Sequence, residues 1–153
     1  MTVGETKSTG VTPAEFADTI QGRSDSNLRS GHLGTIATGR IGDPMIVTKK
    51  GLLNSLTAKA LTTGSAGGTS VDVLKIAAGG TSAASVLSAT LDIDNTDADG
   101  TTKTTNDWAS AEVEPGDILY VEVTAAPTAG ADLYIQLAVD DRLDPLGERP
   151  LLS

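Results

Sequence analysis

The chain has 153 residues, 39% of them hydrophobic but only 3% aromatic, with 11 Lys and Arg against 20 Asp and Glu and a formal net charge of -9. That length suits a single domain, and that charge argues against a nucleic-acid partner, because phosphate binding needs a basic face that releases counterions. The lack of cysteine excludes a disulfide framework and thiolate chemistry. No run reaches the roughly 20 apolar residues of a membrane span or resembles a signal peptide, so a soluble, non-exported protein with no membrane partner is expected.

The texture changes near residue 45, which predicts an N-terminal arm over 1–45, a β-sandwich domain over 46–141 and a C-terminal tail over 142–153. Up to residue 50, the cations Lys7, Arg23, Arg29, Arg40, Lys49 and Lys50 balance Glu5, Glu15, Asp18, Asp25 and Asp43, so the rest of the chain carries the whole net negative charge. A core of Val, Leu, Ile and Ala with few rings gains less from its own burial. Self-association is therefore expected.

Within the arm, the spacing predicts a helix over 13–21. Thr12 caps it, Pro13 suits its first position, Glu15 completes a capping box, and Val11 with Phe16 forms a hydrophobic staple. Phe16 and Ile20 share one face as a small apolar ridge. So short a helix is marginal alone and must dock, on its own body or on a partner. Residues 21–43 hold isolated apolar side chains among Arg, Ser and five glycines, and read as an extended arm that becomes ordered on a neighbour.

The body reads as short strands over 46–48, 52–62 and 71–76, the last two separated by a Gly-rich break. The run 86–93 alternates, with Leu87, Ala89, Leu91 and Ile93 on one face. A polar loop is expected over 94–106. Glu114-Pro115-Gly116-Asp117 places Pro and Gly where a type II turn favours them. The strand after it sets Leu119, Val121 and Val123 inward and Tyr120, Glu122 and Thr124 outward. After a turn at 127–130, Leu133, Ile135, Leu137 and Val139 share the inner face of the last strand, with Tyr134 and Gln136 opposite. Six or seven alternating strands predict an all-β fold, an antiparallel β-sandwich or jelly roll with the arm attached. In the tail, Leu143, Leu146, Leu151 and Leu152 sit among Pro145, Gly147 and Pro150, a pattern suited to docking in a groove on the body or on another subunit.

No residue set points to catalysis, and the chain is read as a non-enzyme with no cofactor. His32, the only histidine, lies between Gly31 and Leu33 without a nucleophile elbow elsewhere. The Gly-rich run at 64–69 lacks the Gly-Lys-Ser/Thr ending of a phosphate loop. Asn95, Asp97, Asp99 and Gly100 match positions 1, 3, 5 and 6 of a calcium loop, but Asn95 stands where Asp is expected and Asn106 where a bidentate Glu is expected. A solvated acidic loop is the stronger reading, with Asp97 and Asp99 as weak calcium candidates. Trp108 reads as a plug at the core edge. Tyr120 and Tyr134, near-diagonal across a last hairpin, form either a small sugar-stacking surface or a covered outer face.

The runs at 68–75, 113–123 and 130–137 together resemble, in style and order, the small β-sandwich domains of tailed-phage virion proteins such as capsid decoration (cement) proteins, head fibres and some tail-fibre modules. The resemblance covers roughly residues 68–140. It implies a structural role on the virion: a decoration protein made in the host cytoplasm that binds the major capsid protein on the outer head surface through its arm. The contacts expected on that reading are Phe16, Ile20, Arg23, Arg29 and Arg40 in the arm and Leu143, Leu146 and Leu151 in the tail. The alternative is a fibre module that binds a host receptor or glycan.

Overall fold

Alternating apolar and polar side chains give each long strand one apolar face, and two sheets built from such strands close on one another. A computed structural model describes residues 25–140. Its strands are β1 (Asp25–Thr35), β2 (Gly39–Ile46), β3 (Gly51–Thr62), β4 (Gly68–Ile76), β5 (Ala83–Ser85), β6 (Leu91–Asp94), β7 (Thr102–Thr105), β8 (Glu112–Val113), β9 (Ile118–Ala125) and β10 (Ala131–Asp140). The first sheet has the order β1-β10-β3-β7, with β8 also on β3; the second has the order β2-β9-β4-β5, with β6 also on β4. Every pairing is antiparallel. The described residues thus form an antiparallel β-sandwich.

The winding is nested. β1 pairs with β10, β2 with β9, β3 with β7 and β8, and β4 with β5 and β6. The links β1 to β2, β3 to β4 and β9 to β10 each cross from one sheet to the other, which gives every inner face a partner sheet. Between them lie Leu53, Leu56, Ala58, Leu133, Ile135 and Leu137 from the first sheet and Val71, Val73, Ile93, Leu119, Val121 and Val123 from the second, all buried. Burying each of the larger side chains is worth about 1.5–3 kcal/mol, so these positions dominate the stability of a core that has few rings. Thr69 also points into this core, and its hydroxyl has no hydrogen-bond partner.

The strands over 52–62 and 71–76 and the inward sets of β9 and β10 agree with their alternation. The Pro-Gly turn is also present: Gly116 has φ 97°, and the buried Asp117 carboxylate holds it. One oxygen accepts from the Glu114 amide at 2.9 Å and the other from the Ala78 amide at 2.9 Å.

Five expectations differ from the structure. Most of the stretch read as an extended arm over 21–43 is built into the sandwich, because β1 and β2 close one edge of each sheet. The sheets meet along that edge where the Ser30 hydroxyl donates to the Ile41 carbonyl at 3.2 Å. A Cβ on Gly42 (φ 74°) would collide with Ser30 Oγ, so glycine permits the approach. The strand expected over 46–48 is the end of β2 followed by Val47, whose amide donates to the Asp117 carbonyl at 2.8 Å.

The run 86–93 does not form one strand. Val86 and Leu87 are both buried in succession, which alternation forbids, and Leu87 forms a bridge to Trp108 across the sandwich edge. Of the expected inward set, Leu91 and Ile93 are buried in β6 and Leu87 is buried outside it, while Ala89 is exposed. The polar loop over 94–106 contains β7, which pairs with β3. Finally, β9 and β10 belong to different sheets, so their turn is a crossover and no last hairpin exists. The helix expected over 13–21 and the tail over 142–153 lie outside the described residues.

Candidate binding surfaces

Strand directions define two poles. β1 starts and β10 ends at the same place, with Asp25 registered on Asp140. The β2–β3 and β8–β9 turns lie at that pole, because Asp140 pairs with Leu52 and Gly51 with Val113. Segments 1–24 and 141–153 therefore both join the sandwich at this pole, called the near pole below. The opposite, far pole carries the β1–β2, β3–β4, β6–β7 and β9–β10 connections.

The near pole carries an apolar row, with lysines and acidic residues beside it. On the outer face of the second sheet, Ile46 pairs with Ile118, Ile118 with Ile76, and Ile76 with Ala83, giving an apolar row across four strands. Ile46 is 65% exposed, far more than a large aliphatic side chain ordinarily is. Lys49 and Lys50 are exposed in the adjoining turn. Lys50 meets Glu114 at 3.8 Å, and Lys75 meets the buried Asp117 at 3.9 Å.

The far pole is acidic, and its acids are occupied. Asp99 accepts from the Thr63 amide at 2.9 Å and the Thr63 hydroxyl at 3.1 Å. Asp97 accepts from the Asp94 amide at 2.8 Å and pairs with Lys103 at 3.0 Å. The Asp94 amide, followed by Lys103, holds the Asp97 carboxyl below the ordinary carboxylate range. These two calcium candidates thus tie the loop to β3 and β7 instead of converging with each other. Among the described residues, no group of three or more His, Asp or Glu is arranged to hold a metal ion.

The remaining candidates are dispersed. Arg29 sits on the outer face of the first sheet opposite Gln136, whereas Arg40 sits on the second sheet opposite Glu122. Arg40 stacks on the Tyr120 ring, 4.0 Å from its centroid. The two tyrosines are on opposite outer faces, which rules out a joint stacking surface: Tyr120 is 7% exposed and Tyr134 42%. His32 is exposed, with Nε2 bonded to the Thr35 carbonyl at 2.8 Å. Trp108 packs partly buried on the core, and its ring N–H donates to the Asn54 carbonyl at 3.0 Å. Phe16, Ile20, Arg23, Leu143, Leu146 and Leu151 lie outside the described residues.

Two features escaped the sequence reading, the apolar row and the clustering of Arg29 with Lys59 on one face. The first had a signal, since Ile118 falls on the outward parity of β9; the second depends on strand order, which alternation does not encode. Compared with protein-family models and with curated proteins, the chain matches none.

Proposed function

We propose that this chain is a structural virion protein that decorates the outer surface of a tailed-phage head and is fastened to the major capsid protein through its near pole. The observation that carries this reading is the pairing of Asp25 with Asp140. Segments 1–24, with Phe16, Ile20 and Arg23, and 141–153, with Leu143, Leu146 and Leu151, therefore both join the sandwich at the pole that carries Ile46 and Lys49. A body held at one pole presents its acidic far pole outward, where like charge opposes non-specific association. The nested strand pairing supports a jelly-roll reading of the sandwich, an architecture that recurs in viral capsid domains. The role proposed is non-enzymatic, the assembled unit a dimer or trimer, and the site of action the capsid surface after synthesis in the host cytoplasm.

Cosedimentation with purified heads that lack the protein tests this. The full chain is expected to bind, and deletion of residues 1–24 to weaken binding by at least about tenfold, a loss of about 1.4 kcal/mol. The deletion must stop there, since removing residues to Asp43 would also remove β1 and part of β2. Unchanged binding by a folded chain lacking both 1–24 and 141–153 would reject the reading.

A further inference from the structure

The outer face of the first sheet carries two registered rows of side chains across four strands. One row is Arg29, Gln136, Thr57 and Thr104; the next is Gly31, Tyr134, Lys59 and Thr102. All of these except Gly31 and Thr104 line an open groove of about 320 Å³, within the size range of small-ligand sites. Its centre is the Tyr134 ring, 42% exposed. Gly31 makes room for that ring, since a Cβ there would approach Tyr134 Cδ1 to 3.2 Å.

Charge sets this groove apart. None of its eight row positions is acidic, in a chain with 20 acidic residues against 11 basic ones. Elsewhere Lys50, Lys75 and Lys103 each meet a carboxylate and Arg40 lies on a ring. Arg29 and Lys59 do neither among the described residues, like Lys49 in the β2–β3 turn, and both are exposed. Two free cations flanking an accessible ring, with threonine hydroxyls and an amide spaced at the strand interval, form a complementary set for one ligand class. The ring accepts the C–H face of a pyranose, Arg29 can fork onto a carboxylate, Lys59 adds a second charge, and Thr57, Thr102 and Gln136 face hydroxyls.

We propose that this groove binds carboxylated saccharides of the uronic-acid or sialic-acid type. An acidic peptide would use the two cations but leave the ring and the hydroxyl row unengaged. Because the body as a whole repels anions, recognition depends on this local constellation and not on general charge. The inference is independent of the attachment reading, since the groove occupies the sheet face between the poles.

Saturation-transfer NMR and calorimetry on the full chain at low salt, with trigalacturonate, sialyllactose, neutral galactotriose and hexaglutamate as probes, decide the matter. At least one of the two acidic saccharides is expected to bind, more tightly than galactotriose or hexaglutamate. Tyr134→Ala and Arg29→Gln should each weaken it about tenfold, while Arg40→Gln on the opposite face leaves it unchanged. All three side chains are exposed or peripheral to the core, and thermal melting of each variant separates lost binding from lost fold. Failure of both acidic saccharides to bind would overturn the proposal. So would hexaglutamate binding equally well with Tyr134→Ala without effect, which would assign the groove to acidic peptides.

Discussion

Tyr120 and Tyr134 follow the same rule of alternation, each on the outward parity of a neighbouring strand, yet they end in opposite circumstances. Tyr120 is 7% exposed, roofed by Arg40 from the edge strand β2, while Tyr134 is 42% exposed above a glycine. Outward parity therefore specifies a face and leaves its covering undetermined. The covering comes from which strand lies alongside and what that strand carries. An arginine next to Tyr120 turns an outer position into a structural contact; Gly31 next to Tyr134 leaves a ring open to solvent.

The largest test of this contrast is Tyr120→Ala, expected to destabilise the fold by about 3 kcal/mol, as loss of a buried ring does. Urea denaturation measures it, and a loss no greater than that of Tyr134→Ala would remove the distinction between the two faces. Burial without partnership is a second, opposite case in the same sheet. Thr69→Val should leave stability unchanged or raise it by about 1 kcal/mol, because the hydroxyl it removes is buried without a hydrogen bond. Arg40→Ala should cost about 0.5–1 kcal/mol, the usual range for a solvent-exposed cation over a ring face. Tyr134→Ala is expected to fall within about 0.5 kcal/mol of the parent, as exposed positions generally do.

The smallest effect concerns the far pole. The Asp97 carboxyl is depressed in the folded chain, so the tie it makes is present at neutral pH and is lost as pH falls through and below the ordinary aspartate range. Carboxyl NMR titration should show Lys103→Gln restoring only part of the shift, since the Asp94 amide is the larger cause. Complete restoration would make the ion pair, and not the backbone hydrogen bond, the loop's fastening.

Much of the sandwich is legible in the sequence where both flanks of a strand are paired. β9 and β10 bury an apolar side chain at every second position, and β3 does so from Leu56 to Ala60, so their periodicity is strong. The edge strands are hidden for a physical reason. β1 contributes Leu28 to the core, then Ser30 and His32 at the next inward positions, and β2 contributes Ile41 before a bulge containing Gly42 and Pro44. A strand paired on one side tolerates such residues, and its main-chain ladder leaves no mark in hydropathy. The break at 86–90 is equally silent, since Val86 and Leu87 look like alternation shifted by one residue. The candidate surfaces were less legible still. Arg29 and Lys59 are 30 positions apart in sequence and share a groove only because β10 lies between their strands.

The contrast of near and far poles also revises the change in texture near residue 45. The neutral stretch before it is divided: residues from Asp25 onward belong to the sandwich, and what precedes them joins beside the end of β10. The proposed role concentrates attachment at one pole, and hydrogen–deuterium exchange on the full chain, free and bound to phage heads, tests that claim most directly. The account predicts slowed exchange in 1–24, 141–153 and the Ile46 to Lys50 turn on binding, with 94–100 unchanged. Protection confined to 94–100 and the other far-pole connections would contradict it.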